Sequence, residues 1–373
     1  MRHNKDTNSS KICIAIIGLG KISKNHLLSV LDLYDYCLLS AICDISNSQI
    51  DSTLNLVNDF YRQNNLENDK LNIYNDLNNL INDYKIEKIN IDLVVLCTPS
   101  GMHASQTCIF SELGISVCTE KPMATKWKDA IDMVRQCKKN NVNLFVIQQM
   151  RLYPSAQLIK KQIDKGRFGK LALVNVNIFW NRSQSYYDQD KWRGSVDLDG
   201  GALMNQAIHY IDLIRWFFGD IISLNASLAT IARSIETEDT AVINLKWSNN
   251  ALGNISVTML SLPKNIENSI TIIGSNGSVK LGGESSNEIQ HWFFSSNDSD
   301  DDLIDNTTWA NESRFIAHKR YYENIINTLN GSSDPICTSL EALKSFELIE
   351  AAHLSHKYQK NISLPLSNLE YSF

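Results

Sequence analysis

The stretch richest in chemistry is DGGALMNQAIHYID, residues 199–212. Two glycines lead into a run from 203 to 218 with almost no helix breakers. Leu203, Met204, Ala207, Ile208, Tyr210, Ile211, Leu213 and Ile214 make that run apolar on most sides. A helix so apolar is buried. Yet Asn205, His209 and Asp212 stand at i, i+4 and i+7, and at about 100° per residue they share one narrow stripe. A polar stripe on a buried helix needs hydrogen-bond partners. It is either a satisfied internal network or solvent-facing edge, or a reacting centre. Histidine, with an ordinary pKa of about 6.5, is suited to move protons near neutrality.

The elements before this helix supply a nucleotide site. Residues 11–20, KICIAIIGLG, form a continuous apolar run ending in glycines, the pattern of a buried parallel strand feeding a tight turn. A helix over 21–33 and a second strand over 37–43 follow, and the strand ends on Asp44. Gly18-Leu19-Gly20-Lys21-Ile22-Ser23 thus occupies the strand-to-helix turn of a βαβ unit, with Ser23 at the third glycine position of the dinucleotide fingerprint. Gly18 permits the turn. Gly20, with Lys21 and Ile22, brings backbone to a pyrophosphate resting on the helix N-terminus. Asp44 is placed to accept from the ribose hydroxyls; otherwise it caps the helix that starts near Ser46. The alternation continues to about 149. It includes a loop with Thr98, Pro99 and His103 at the carboxyl end of a strand over 92–97, where doubly wound sheets line their ligand crevice. As a lone histidine opening a helix, His103 also has a purely structural reading.

Past residue 150 the texture changes to longer alternating runs, over 222–231, 240–247, 253–260 and 269–273, between helices at 155–165, 203–218, 314–329 and 340–358. This predicts an α/β chain in two parts: an N-terminal Rossmann domain over 11–149, and a C-terminal α/β domain over 150–373 with an antiparallel sheet that lays one face on helices. Residues 1–10 read as a disordered tail. The acidic stretch 295–305, SSNDSDDDLID, reads as a mobile loop.

Composition narrows the function. With 373 residues and a formal net charge of −6, the chain has no basic stripe, so nucleic acid is not an expected partner. No apolar run reaches membrane-spanning length and the first residues have no apolar signal segment, so a cytoplasmic location is expected. The eight cysteines form no C-x-x-C pair and read as reduced core thiols, with no metal site.

Taken together, GLGKIS at 18–23, CTPSGMH at 97–103, EKP at 120–122 and GGALMNQAIHYID at 200–212 resemble the glucose-fructose oxidoreductase/inositol dehydrogenase (Gfo/Idh/MocA) family. The resemblance spans residues 11 to 373. It implies a Rossmann domain followed by a C-terminal α/β domain with an open, mainly antiparallel sheet, and NAD(P)-dependent oxidation or reduction at a sugar or polyol carbon, with homo-oligomers, dimers or tetramers, built through that sheet. It also implies that Lys121 is the family's EKP lysine, that His209 is its helix histidine, and that Glu120 and Gln149 join Lys121 around the cofactor. Asn205 falls where many members carry aspartate, which removes a charge from the catalytic group. An Asn there resembles the nucleotide-sugar branch, the UDP-N-acetylglucosaminuronate 3-dehydrogenases. In that reading His209 takes the hydroxyl proton and cationic Lys121 stabilises the developing alkoxide.

The loop before the helix carries Tyr186, Trp192 and Arg193. The guanidinium suits a uronate carboxylate or a phosphate, and the aromatics offer faces to a sugar or base. Arg151 and Tyr153 are candidates for the same cleft. Other readings are a solvated surface loop, a free polyol or aldose dehydrogenase, an NAD-dependent glycosidase of the same family, and an NAD(H)-sensing module without turnover. Asp44, with no Lys or Arg in the ISNSQI that follows it, predicts NAD over NADP. The comparison of dissociation constants is the check: NAD binds more tightly, and Asp44→Ala weakens NAD and erodes the preference. Equal affinity in the unsubstituted protein would refute the assignment.

Overall fold

A computed structural model of the chain describes residues 11–66, 71–284, 286–304 and 314–366. The predicted tail at 1–10 and the C-terminal residues from 367 lie outside the described residues. The first half alternates strictly: β1 (Ile12–Ile17), α1 (Ser23–Asp32), β2 (Cys37–Cys43), α2 (Asn47–Gln63), β3 (Asn72–Tyr74), α3 (Leu77–Lys85), β4 (Leu93–Leu96), α4 (His103–Glu112), β5 (Ser116–Thr119), α5 (Trp127–Lys139) and β6 (Leu144–Val146). The strands pair in parallel in the order β3-β2-β1-β4-β5-β6. The order reverses between β1 and β4, and ligand crevices of such sheets open at this switch point. Ile14, Ala15, Ile16 and Val94 are fully buried, as strands covered by helices on both faces must be.

The second half runs α6 (Pro154–Asp164), β7 (Leu171–Phe179), α7 (Gln184–Asp188), a π-helical turn (Leu203–Ala207), α8 (Ile208–Phe218), β8 (Ile221–Ala229), β9 (Thr240–Trp247), β10 (Leu252–Thr258), β11 (Glu267–Gly274), β12 (Gly277–Gly282), β13 (Glu288–Phe294), α9 (Arg314–Leu329), α10 (Ser339–Tyr358) and β14 (Ile362–Ser363). Its eight strands form one open sheet, β13-β12-β11-β7-β10-β9-β8-β14, in which β7 and β10 are parallel and all other pairs antiparallel. Strict alternation explains the one-sided burial. Along β9, Ala241, Ile243, Leu245 and Trp247 point into the helix-covered core. The open face carries a row of asparagines in register, Asn225, Asn244, Asn254 and Asn175, on four adjacent strands. The strands β12 and β13 and the short α7 were not anticipated from the sequence.

The two parts share a core: α9, far into the second half, returns to the first sheet, where Tyr321, Tyr322, Ile325 and Ile326 pack with Ile14, Leu27 and Val30. One expectation needs correction. The acidic stretch is pinned. Asp300 is buried against Lys161 and Lys165, 2.7 Å from each. Asp301 takes both arms of Arg167, at 2.8 and 2.9 Å, and the Trp292 indole N–H at 2.8 Å. Charges that find buried partners order a loop that composition alone marks as solvated.

The Arg167 guanidinium, helped by Trp292 and the Asp298 N–H, holds the Asp301 carboxyl down to about 2. A carboxyl depressed on folding stabilises fully above its unfolded pKa, about 3.9, and loses that contribution as pH falls through the folded value. Thermal melts should therefore show Asp301→Asn less stable than the parent at pH 6, with the gap closing between about pH 4 and pH 2. A gap independent of pH over that window would contradict the pairing.

Candidate active site

The turn after β1 is built by close approach. Gly18 has φ +85°, and a Cβ there would stand 2.8 Å from the backbone of Cys97 and Thr98 at the end of β4. Nothing lies within 4 Å of the corresponding point at Gly20. The backbone is thus open where a pyrophosphate would approach, and Lys21 and Ile22 lead directly into α1. Asp44, at the end of β2, accepts the Leu19 N–H at 2.6 Å and the Ser46 N–H at 2.8 Å. Its carboxylate is tied to the glycine turn, at the edge where a ribose would sit beside that pyrophosphate. Gln149 follows β6 at the carboxyl end of the same sheet, buried, and its Oε1 has no hydrogen-bond partner among the described residues. A buried acceptor left without a donor is costly. These features fit a bound dinucleotide.

Thr98, Pro99 and His103 form the β4–α4 connection. His103 is only 1 % exposed, with Nδ1 3.0 Å from the Pro122 carbonyl and Nε2 2.9 Å from the Thr98 carbonyl. Burial pushes its imidazole down, against those two carbonyls. It ties the 98–102 loop to the 120–122 loop from inside, with both ring nitrogens on backbone carbonyls. Glu120 is likewise turned inward. Its Oε1 lies 2.9 Å from His26 Nε2 and 3.7 Å from His318 Nε2, and its Oε2 accepts the Lys121 N–H at 3.1 Å. Tyr322 is 2.7 Å from His26 Nδ1. Burial opposes the Glu120 charge, but the two histidines outweigh it and hold the carboxyl well below its usual range. Glu120 therefore braces the strand end that presents Lys121.

Lys121 reaches across to the second half. Its Nζ donates to the Asn205 carbonyl at 2.7 Å and to Asn205 Oδ1 at 3.4 Å. Asn205 lies in the π turn, where one extra residue per turn re-aims side chains; such turns are frequent at functional sites. The three polar residues expected on one stripe do not share one environment. Asn205 faces Lys121, His209 Nδ1 lies 3.3 Å from Gln148 Oε1, and Asp212 turns into the core. Asn205 and His209 are half-buried, and Asp212 is fully buried. Sequence reading missed Gln148, overshadowed by its neighbour Gln149. It also missed Glu238, whose Oε1 accepts the Leu203 N–H at 2.8 Å and so satisfies the start of the π turn.

Arg151 and Tyr153 do not line the cleft. Arg151 is 1 % exposed and forms a bidentate pair with Asp212, Nε to Oδ2 at 2.7 Å and Nη2 to Oδ1 at 2.8 Å, with Nη1 3.0 Å from Glu341. Tyr153 belongs to the apolar core. Tyr186, Trp192 and Arg193 do come together: the Arg193 guanidinium lies 4.4 Å from the Tyr186 ring and 4.7 Å from the Trp192 ring, and its Nε meets Asp190 at 2.8 Å. Arg182, also missed, stacks on Trp180 and on the other side of this group against Tyr186.

A doubly wound sheet with an open glycine turn and a lysine at the end of its own β5, set against an asparagine and a histidine from a second α/β layer, fits a nicotinamide-dependent oxidoreductase. The comparisons agree. Residues 12–148 match the NAD-binding Rossmann fold of the Gfo/Idh/MocA oxidoreductases, and residues 160–364 match their C-terminal alpha/beta domain. The chain belongs to this family. The WlbA dehydrogenase of Bordetella pertussis, solved with NADH and UDP-GlcNAcA, is 39% identical over 95% of this chain and 98% of its own, with a TM-score of 0.85. The Chromobacterium violaceum WlbA dehydrogenase, solved with the same pair, is 39% identical over 98% and 99% of the two chains, with a TM-score of 0.87. Among curated relatives, levoglucosan dehydrogenase of Pseudarthrobacter phenanthrenivorans is 24% identical, but the match spans only 56% of this chain and 60% of that protein. D-apiose dehydrogenase of Paraburkholderia graminis is 22% identical over 94% of this chain and 89% of its own. No helix among the described residues is long and apolar enough to cross a membrane.

The burial of Arg151 separates a structural role from a substrate contact. Arg151→Met leaves the Asp212 carboxylate buried without its partner, and the expected cost is about 3–5 kcal/mol, read as a lowered midpoint in denaturant. KM of the folded fraction should stay within about twofold of the parent. A normal midpoint with a raised KM would restore Arg151 to the cleft.

Proposed function

We propose that the protein is an NAD-dependent dehydrogenase that oxidises a secondary hydroxyl, at C3, of a nucleotide-linked uronic acid such as UDP-N-acetylglucosaminuronate. In the cell this would serve surface-polysaccharide synthesis, in the cytoplasm. The observation that carries the reading is the 39% identity across nearly the whole chain to enzymes solved with NADH and UDP-GlcNAcA. The stacked Arg193 group supports it, since a guanidinium held between two aromatic rings suits an anionic sugar.

Oxidation removes a hydride from carbon and a proton from the hydroxyl. NAD, when bound at the glycine turn, would supply the hydride acceptor. The remaining work falls to side chains. Gln148 Oε1 can only accept, so the His209 Nδ1 facing it carries the hydrogen and Nε2 of the neutral ring is left as the base. Lys121, donor-only and held by Asn205, is the group to stabilise the developing alkoxide. Arg193, Tyr186 and Trp192 would orient the charged sugar. Exposed Leu252, Leu173 and Ile273 stand side by side on the open sheet face and would seat a second copy of the chain, giving a homo-oligomer.

The relatives acting on free sugars favour a second reading, a free-sugar or polyol dehydrogenase. NADH absorbance separates them: it should rise with the UDP-uronate and stay flat with myo-inositol or free glucose. His209→Ala should lower kcat by about 10²–10⁴-fold with NAD affinity intact. Arg193→Ala should raise KM for the UDP-uronate far more than for the UDP-sugar that lacks the carboxylate. Equal turnover of free inositol would reject the nucleotide-sugar assignment.

A further inference from the structure

The carboxylate of Asp199 stands across the Asn205 side chain from Lys121. It is 2 % exposed. One oxygen accepts the Gly194 N–H at 2.7 Å, and the other accepts the Nδ2 group of Asn205. The far side of that same carboxamide, Asn205 Oδ1, receives Lys121 Nζ. The chemistry of the three groups dictates this order. An ammonium only donates and a carboxylate only accepts, so the amide between them has a single satisfied orientation. Position 205 is neutral in this chain, and Asp199 brings a carboxylate to the opposite end of its amide.

The loop that carries Asp199 is itself docked on the first domain. Thr125 donates to the Asp197 carbonyl at 2.8 Å, and the Gly101 N–H donates to the Leu198 carbonyl at 3.3 Å. A side chain at position 101 would overlap the Asp197 carbonyl oxygen, so glycine is required for this approach. Burial pushes the Asp199 carboxyl up from its ordinary range, while the Gly194 and Asn205 N–H groups and the cations Lys121 and Arg193 act in the other direction. The same loop therefore joins the substrate-facing Arg193 to the reacting centre.

We propose that Asp199 is a positioning residue for Lys121. It fixes the Asn205 carboxamide with its oxygen toward the ammonium, and it supplies, one amide away, the negative charge that position 205 lacks. This rests on Lys121 being the group that binds the reacting oxygen, as proposed above. It differs from a merely structural role in one respect: the charge can be moved from 199 to 205 and still serve Lys121.

The test is a charge swap in the NAD-loaded enzyme. Asp199→Asn should lower kcat about 10²-fold, the scale of a misplaced catalytic group, with KM little changed. Asn205→Asp alone should also be impaired, because two carboxylates then meet without a donor between them. The double variant Asp199→Asn/Asn205→Asp moves the charge next to Lys121 and restores an amide–carboxylate pair. It should regain at least about tenfold in kcat over Asn205→Asp, a coupling that independent sites do not show. A second readout needs no substrate: the pH dependence of Lys121 modification by an amine-reactive reagent, followed by mass spectrometry. Loss of the nearby charge in Asp199→Asn should move the midpoint to lower pH, and the double variant should return it. If Asp199→Asn does not fold, Asn205→Asp against the double variant gives the same decision. An unmoved Lys121 midpoint, or a folded double variant no better than Asn205→Asp, overturns the proposal. Inactivity of the parent on the UDP-uronate with the Lys121 midpoints shifting as expected would instead fault the substrate assignment and leave the positioning role standing.

Discussion

The Arg151–Asp212 ion pair is the contact on which the geometry of the cleft depends. Both side chains are 1 % exposed and are joined by two parallel hydrogen bonds. Breaking a pair this deeply buried costs far more than a surface bridge, because each charge would be stranded. The pair clamps α8 to the short helical turn Gln149–Leu152 that follows β6. Glu341 of the α10 capping box and the Ile336 carbonyl engage the remaining arm of the guanidinium. His209, one turn before Asp212, is thereby set against Gln148, and Asn205 is set at the distance Lys121 can span. The charge that looked like a substrate contact instead decides where the substrate contacts stand.

Around that clamp, each domain contributes part of the centre and neither has all of it. Lys121 comes from the carboxyl end of β5, and Asn205 and His209 come from the helix opposite. The 195–200 loop crosses between them and lies on the turn at Ser100–Met102. Behind Lys121, the His26–Glu120–His318 cluster joins α1, β5 and α9 in one buried knot. This explains why α9 returns to the first sheet. A buried carboxylate needs partners, and His318 and Tyr322 of α9 supply part of that set.

The π turn shows how a small backbone change carries chemical weight. A continuous α-helix from 203 would keep Asn205, His209 and Asp212 on one face, all in the cleft or all in the core. The π turn at Leu203–Ala207, with Glu238 on the Leu203 N–H, changes the angle of Asn205 relative to α8, on which His209 meets Gln148 and Asp212 meets Arg151. The acidic turn at Ser299–Leu303 makes a related point about charge. Its aspartates are ordered because Lys161, Lys165 and Arg167 on and after α6 meet them.

Local pattern was enough for much of this protein. The apolar runs and the glycine turn at Gly18–Gly20 spelled out the parallel sheet, because such strands are buried on both faces and must read as continuous hydrophobic segments. The alternation in 240–247 marked β9, because one face of its sheet is open. Asn205 and His209 stood out as polar groups on an apolar helix, whereas Lys121 was marked by the EKP motif that resembles the family's. What the sequence left open is the set of pairings between distant positions. Arg151 looked like a cleft residue until Asp212 and Glu341, 61 and 190 positions away, closed on it. Glu120 and His103 looked like cofactor contacts until His26, His318, Pro122 and Thr98 enclosed them. Asp199 was visible at the head of its motif but without function, since only the folded chain brings its carboxylate to the amide that faces Lys121. Buried polar groups are satisfied by partners from anywhere in the chain, and hydrogen-bond capacity carries no sequence address. Tertiary structure therefore decided which charges hold the fold and which are left for chemistry.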